Sequence, residues 1–424
     1  MPAFAGVGHE IFLMKCVLCG ALSCVASSRN STLPHFLSRP EVRGVVITFV
    51  AYFFGTGILM PYFPIWLHDR GLSASQIALA LGLPLFARII ATPLFALVAS
   101  RLGAHVLGSS LAAIALIGVL LMQFYPPYWV IVVITALTYA SWQSVALHFD
   151  PEAMNLVRRK LVPTYGVIRA FGSSAYIAAT VSGGIIVGAF GSTAAMYYFV
   201  AVATVLIFFS SRLRSLGRPQ PKAGEPRAKA TWRRPSLVMV TIAAALVMGT
   251  HSSFTSFGGL HMRALGYSDS LIGIILATMT AAELLMFAFG SRFVTGVPPV
   301  ALIAVGAMAA TLRWTAVAFV DSPALLMGLQ LLQSLTFAGT YLGFAGYVVR
   351  HVAAEQSVSA QGMYMASFVA INGCVTLAVG SFYDRIGAQS FLISATLPLL
   401  ALGLLAARRF FLPPDQPLVA AGKD

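Results

Sequence analysis

Charge is what this chain has least of. Of its 424 residues, 9% are Asp, Glu, Lys or Arg, and 58% are hydrophobic. Soluble domains carry about 25% charged residues. A water-soluble fold of this length would need a polar surface that the composition does not supply. Acidic residues are scarcer than basic ones, 13 against 27, which leaves a formal net charge of +14. Cysteine is limited to Cys16, Cys19, Cys24 and Cys374. No second pair and no His follows Cys16 and Cys19 at ligand spacing, so neither a metal centre nor a disulfide framework is expected. Enzyme signatures are missing as well. There is no His-Glu-x-x-His, no Gly-x-Ser-x-Gly and no Walker loop, and no pair of carboxylates lies inside an apolar run. Hydrolase chemistry and direct drive by ATP are therefore disfavoured, and no cofactor is expected.

What the chain has instead is long apolar runs. Roughly 20 such residues are needed to cross a bilayer as a helix. Twelve runs qualify: 43–66, 74–99, 104–125, 127–149, 164–189, 193–211, 236–258, 269–291, 298–319, 323–347, 359–381 and 389–409. Most connections are short and contain Pro, Gly or charge. One, residues 212–235, is long and polar. The expected fold is all-α and polytopic, with twelve transmembrane helices in two pseudo-symmetric halves. The expected organisation is a leader over 1–40, a six-helix half over 41–211, a basic linker over 212–235, a second half over 236–410 and a tail over 411–424. The leader contains an apolar stretch at 11–27 that reads as a signal sequence, a further span or an extension from an upstream start codon.

The basic residues are distributed unevenly. With residue 43 on the cytoplasmic side, 18 Lys and Arg fall inside and only Arg70, Arg263 and Arg385 fall outside. Such a bias sets orientation and puts both termini in the cytoplasm. It also accounts for the net charge without nucleic acid. The expected partners are the bilayer, protons and a small-molecule substrate, and the chain is expected to act as a monomer.

An internal repeat relates the halves. Residues 66–90 align with 261–285 at a shift of 195, and 164–174 align with 360–370 at a shift of 196. Gly71 meets Gly266, Gly191 meets Gly387, and Arg88 meets Glu283. Transporters are built from such repeats, with binding sites near the midplane between the halves. An ionisable residue there costs about 2.5–3.5 kcal/mol on insertion scales, so each one carries a functional expectation.

Glu283 is the only charge in TMTAAELLMFAF, residues 278–289. It reads either as a proton carrier or as a permanent partner of an Arg. Arg88 and Arg169 carry the planar fork that suits a carboxylate, which belongs either to a substrate or to another helix. His251 and Tyr52 are candidate substrate contacts, with helix packing as the alternative. Arg313 lies toward the outer end of span 9, where its side chain can snorkel outward. It and Asn372 are taken as structural or cavity residues. Asp150 and Glu152, beside Arg158, Arg159 and Lys160, read as a gating network. Gly183, Gly184 and Gly188 have the small-xxx-small spacing that brings helices close.

The architecture resembles the major facilitator superfamily. Its loop signature is weak at ALVASRLGAH (96–105), where Arg101 and Gly103 match but Ser100 replaces the Asp. A better echo follows span 11 in GSFYDRIGA (380–388), with Asp384 and Arg385 as loop gating candidates. Short stretches across 43–410 resemble the phenylpropionate permease family, related to the lactose permease and nucleoside symporter branch. They are YFFGTGILMPYFPIWL (52–67), ARII (87–90), TYGVIRAFGSSAY (164–176), GTHSSF (249–254), GYSDSLIG (266–273), AELLMFAF (282–289) and LRW (312–314). The resemblance implies proton-driven uptake of a small aromatic carboxylate across a bacterial inner membrane. It also implies that Arg169 lies near Glu283. An exporter of the same fold, a membrane receptor and a membrane-embedded enzyme are the alternatives.

Overall fold

In a computed structural model, the described residues are 38–102, 104–211, 234–290 and 296–411. The leader up to 37, three of the four cysteines, the bulk of the basic linker and the tail from 412 lie outside them. So does the side chain of Arg101.

The described chain is almost entirely helical. The helices are α1 (Pro40–Asp69), α2 (Ala74–Leu102), α3 (Ala104–Met122), α4 (Tyr128–Arg158), α5 (Tyr165–Phe190), α6 (Ser192–Ser211), α7 (Pro235–Ala264), α8 (Asp269–Phe289), α9 (Pro299–Val317), α10 (Pro323–His351), α11 (Ala354–Ile386) and α12 (Phe391–Phe411). Nine helical stretches among the described residues are long and apolar enough to cross a membrane, the last of them running through α11 and α12. Ala74–Ile89 and Val106–Met122 are shorter apolar helices. The arrangement agrees with twelve crossings.

Apolar helices suit a bilayer because each satisfies its own backbone polar groups. Their Ser and Thr hydroxyls are mostly satisfied in the same way. Thr48, Thr56, Ser144, Thr180, Thr255 and Thr278 each donate to the carbonyl four residues back. These side chains need no ligand to explain them.

The repeat has a conformational signature. Gly71 and Gly266 follow α1 and α7 at φ 86° and 81°, and Gly191 and Gly387 follow α5 and α11 at φ 81° and 53°. This left-handed region disfavours residues with a Cβ, so glycine recurs where the same turn recurs.

The face where α1 begins is called the near face, and the other the far face. The halves meet where α1 packs on α7, α2 on α11 and α5 on α8. Gly184 and Gly273 permit the α5–α8 crossing. A Cβ at Gly184 would lie 2.5 Å from the Asp269 carbonyl oxygen, and one at Gly273 2.8 Å from that of Thr180. Gly380 plays the same part for α11 on α2, against Ala78 and Phe257. The small-residue stripe of α5 is thus divided in its use. Gly183 seats Tyr62 of α1, and Gly184 seats α8.

Bonds between the halves are found at the far face. Arg263, at the end of α7, pairs with Asp69 of α1 at 2.8 Å and with Asp269 of α8 at 2.6 Å. Ser192 of α6 donates to the same Asp69. Asp384, near the end of α11, accepts from the backbone N–H groups of Ala74 and Ser75 at 2.9 and 3.0 Å. It also accepts from the Ser75 hydroxyl. A carboxylate at a helix N-terminus meets unsatisfied N–H groups and the positive end of the helix dipole. Asp384 therefore caps α2 from the opposite half.

Candidate functional site

The ionisable residues inside the helices form two groups, one in each half. In the first, Arg88 of α2 donates to the Gln143 amide oxygen on α4. Tyr52 of α1 is buried and stacks on Trp142 with ring centroids 5.5 Å apart. Arg88 and Arg169 both act electrostatically on this tyrosine. Arg169, four residues into α5, is exposed on the near-face side and sits 4.3 Å from the Phe53 ring centroid. Such a separation is a cation–π contact. Asp150 of α4 accepts from the Tyr165 hydroxyl at 2.8 Å and feels the Arg169 charge. Glu152, two residues on from Asp150, is half-buried.

In the second group, Glu283 of α8 is half-buried. Its carboxylate lies close to the Gln333 side chain of α10 and within electrostatic reach of Arg169 and of Tyr176 on α5. Among the described residues the ion pairs are those of Arg263. Arg169 and Glu283 thus influence each other across the halves without closing into an ion pair. The repeat partners Arg88 and Glu283 share a further feature. Each meets a glutamine, Gln143 on α4 and Gln333 on α10.

Arg313 does not snorkel. It is fully buried and donates to Gln333, to Gln330 at 2.5 Å and to Thr336 at 3.3 Å. It also lies 4.5 Å from the Trp314 ring centroid. Three neutral acceptors packed around the guanidinium outweigh the pull of the interface, since moving outward would leave those amides unpaired. His251 is buried too. Nδ1 is 2.9 Å from the Met248 carbonyl and Nε2 is 2.9 Å from the Thr336 hydroxyl. Both ring nitrogens are thus engaged inside the protein. Asn372 is half-buried on α11, and its backbone carbonyl accepts from Ser252 of α7. Arg385 is exposed at the far end of α11.

Gln330, Gln333 and Thr336 escaped attention in the sequence. Their signal was present in LLMGLQLLQSLTF, where polar residues recur every three positions inside an apolar run. What the spacing did not reveal is that Ser334–Gly339 winds as a π-helix. Such bulges frequently occur at functional sites. The Arg263 network was also missed, because Arg263 registered only as one of three outside basic residues.

A groove of about 540 Å³ between α8 and α10 is lined by Ala282, Leu285, Met286, Phe289, Gly290, Leu331 and Ser334. None of the ionisable residues above lines it. With Leu285 and Leu331 exposed, it reads as a lipid-facing seam. Among the described residues there is no cluster of three metal-ligating side chains.

Ionisable residues on facing helices of two repeated halves suit an integral membrane transporter. The chain belongs to the MFS_1 like family, which matches it over residues 45–394. It is 25% identical over 390 residues to the probable 3-phenylpropionic acid transporter of Escherichia coli (strain K12), covering 86% of this chain and 97% of that one. Solved structures share the fold. The nucleoside transporter NupG superposes with a TM-score of 0.72 at 16% identity, covering 87% of this chain and 99% of that one. A bacterial homologue of the human lysosomal transporter Spinster, inward-facing and unoccupied, gives 0.68 at 15% identity, covering 90% and 98%.

Proposed function

We propose that the chain is a proton-coupled symporter that takes up a small aromatic carboxylate across a bacterial inner membrane by alternating access. The observation that carries this reading is the setting of Glu283. It is the lone charge in the apolar run 278–289, close to a neutral amide and influenced, though not permanently paired, by a cation of the other half. A carboxylate in such a place gains or loses its charge at modest cost, which a fixed salt bridge would prevent.

The substrate class follows from what stands around it. Arg88 and Arg169 supply forks for a carboxylate, and Phe53 supplies an aromatic face for a ring, with the buried Tyr52 and Trp142 packed behind it. The charges support an anionic substrate, since Arg88, Arg169 and Arg313 stand against Glu283 and Asp150. The relative's printed name, a probable 3-phenylpropionic acid transporter, supports the same class. With the near face in the cytoplasm, as the basic residues favour, the far-face bonds of Arg263 and Asp384 correspond to an inward-open state. In the opposite state Glu283 takes a proton, its hold on Arg169 weakens, and that guanidinium becomes available to the substrate carboxylate. The loaded halves rock and release both inward.

Uptake of labelled 3-phenylpropionate and related aromatic acids into proteoliposomes tests the substrate class and direction. The expected result is accumulation above equilibrium only with an inward proton gradient. Equilibration that ignores the gradient, or accumulation of neutral rings alone, would overturn the reading.

A further inference from the structure

Taking the rocking of the two halves as given, we propose that Asp384 is the latch that holds the far face closed, and that the Arg263 bridge is a joint that parts at little cost. The two differ in what each group keeps when the halves separate.

Arg263 reaches two carboxylates. Its Nε donates to Asp269 of its own half at 2.6 Å, and its NH1 donates to Asp69 of the other half at 2.8 Å. Asp69 in turn accepts from Ser192, which belongs to the same half as Asp69. Separation breaks only the bond between Arg263 and Asp69. The guanidinium keeps Asp269, and Asp69 keeps Ser192. Neither ion is left without a partner, and a part-exposed pair of this kind contributes little.

Asp384 has no such reserve. Its carboxylate accepts from the N–H of Ala74 at 2.9 Å, the N–H of Ser75 at 3.0 Å and the Ser75 hydroxyl at 2.9 Å. All three donors lie on the first turn of α2, in the opposite half. Among the described residues, the ion pairs are those of Arg263, so none ties Asp384 to its own half. Separation therefore ends every one of these bonds together, along with the contact between a carboxylate and the positive end of a helix.

The fold of α2 does not require this carboxylate. The helix carries its own capping box. Ser73 Oγ accepts from the Gln76 N–H at 3.2 Å, and Gln76 Oε1 accepts from the Ser73 N–H at 3.0 Å. Asp384 takes the two N–H groups between them, which the box leaves over. The repeat shows that the device is one-sided. At the shift of 196, Asp384 corresponds to Gly188 of α5. A Cβ at Gly188 would lie 3.6 Å from Ser270 Oγ, on the first turn of α8. Where α11 brings a carboxylate to α2, α5 thus brings a bare backbone to α8.

The test places a reporter at the other joint. Ser270→Cys is introduced into a chain whose Cys16, Cys19, Cys24 and Cys374 are replaced by Ser, and a maleimide is added at the far face in proteoliposomes. Fraying of α2 alone would not reach this site, whereas separation of the halves would. Asp384→Ala is expected to speed labelling about fivefold, the loss of a helix cap. Asp69→Ala is expected to change it less than about twofold. A merely structural role for Asp384 would lower the folded amount and leave labelling per folded protein unchanged. If Gly184→Val speeds labelling and Asp384→Ala does not, this inference alone is overturned. The same holds if Asp69→Ala speeds labelling as much as Asp384→Ala. If no variant and no combination of 3-phenylpropionate and proton gradient alters labelling, the halves do not rock, and the functional reading itself fails. Should Asp384→Ala not fold, Asp384→Asn, which loses the charge and keeps one acceptor, decides by the same comparison.

Discussion

Arg88 and Arg169 are both cations among aromatic rings, but they are not placed alike. Arg88 already holds Gln143 and lies beside Tyr52, whereas Arg169 rests on the Phe53 face and is exposed. A ligand carboxylate reaches Arg169 without displacing an amide. Arg169→Gln is expected to raise the KM for a carboxylate substrate about tenfold or more, the loss of a charge-assisted bond of roughly 1.5–3 kcal/mol. The matching neutral amide should be affected far less. Equal losses for acid and amide would show that Arg169 supports the fold and does not bind the anion. Reading at this scale had uneven reach. Ionisable residues in apolar runs announce themselves, so Arg88, Arg169, His251, Glu283 and Arg313 were all visible. Glutamine and threonine are ordinary in such runs, and their importance depends on which helix faces them. Gln143, Gln333 and Thr336 therefore needed coordinates. So did the inward turn of Arg313, because its depth along the span says nothing about which side of the helix it occupies.

At the scale of helices, glycine decides how the halves meet. The backbones of α5 and α8 pass so closely at Gly184 and Gly273 that neither position has room for a Cβ. Gly184→Val is expected to push the helices apart. Overpacking costs about 1–3 kcal/mol. The cost falls on the far-closed state, where this crossing lies beside the Arg263 network. Thiol labelling of a cysteine introduced at the far end of α8 should become faster, while Gly166→Val, where a Cβ would meet only Thr164 Oγ1 at an ordinary 3.7 Å, should label as wild type. Unchanged labelling in Gly184→Val would mean that this crossing does not hold the far face closed. The small-residue spacing of α5 was legible in the sequence, and so was the repeat that pairs the turn glycines. The partner of each glycine was not, because a helix sequence does not say which of its neighbours approaches on which side.

At the scale of the molecule, the two halves are similar in fold and opposite in charge at their repeat positions. Arg88 stands where the second half has Glu283, and each lies beside a glutamine from a neighbouring helix. In the proposed mechanism this asymmetry supplies one fixed cation and one switchable anion at related places. A device that links proton and carboxylate movement needs both. The twelve-run pattern, the 6+6 division and the basic bias were all carried by composition and spacing. The far-face joints through Asp384 and Arg263 were not, since Asp384 bonds to residues more than 300 positions away in the chain. The measurement that tests the account most directly is 3-phenylpropionate transport by Glu283→Gln in proteoliposomes, read both as gradient-driven accumulation and as exchange at equal pH. The account predicts that accumulation is abolished while exchange persists. Full accumulation by a folded Glu283→Gln transporter would contradict it.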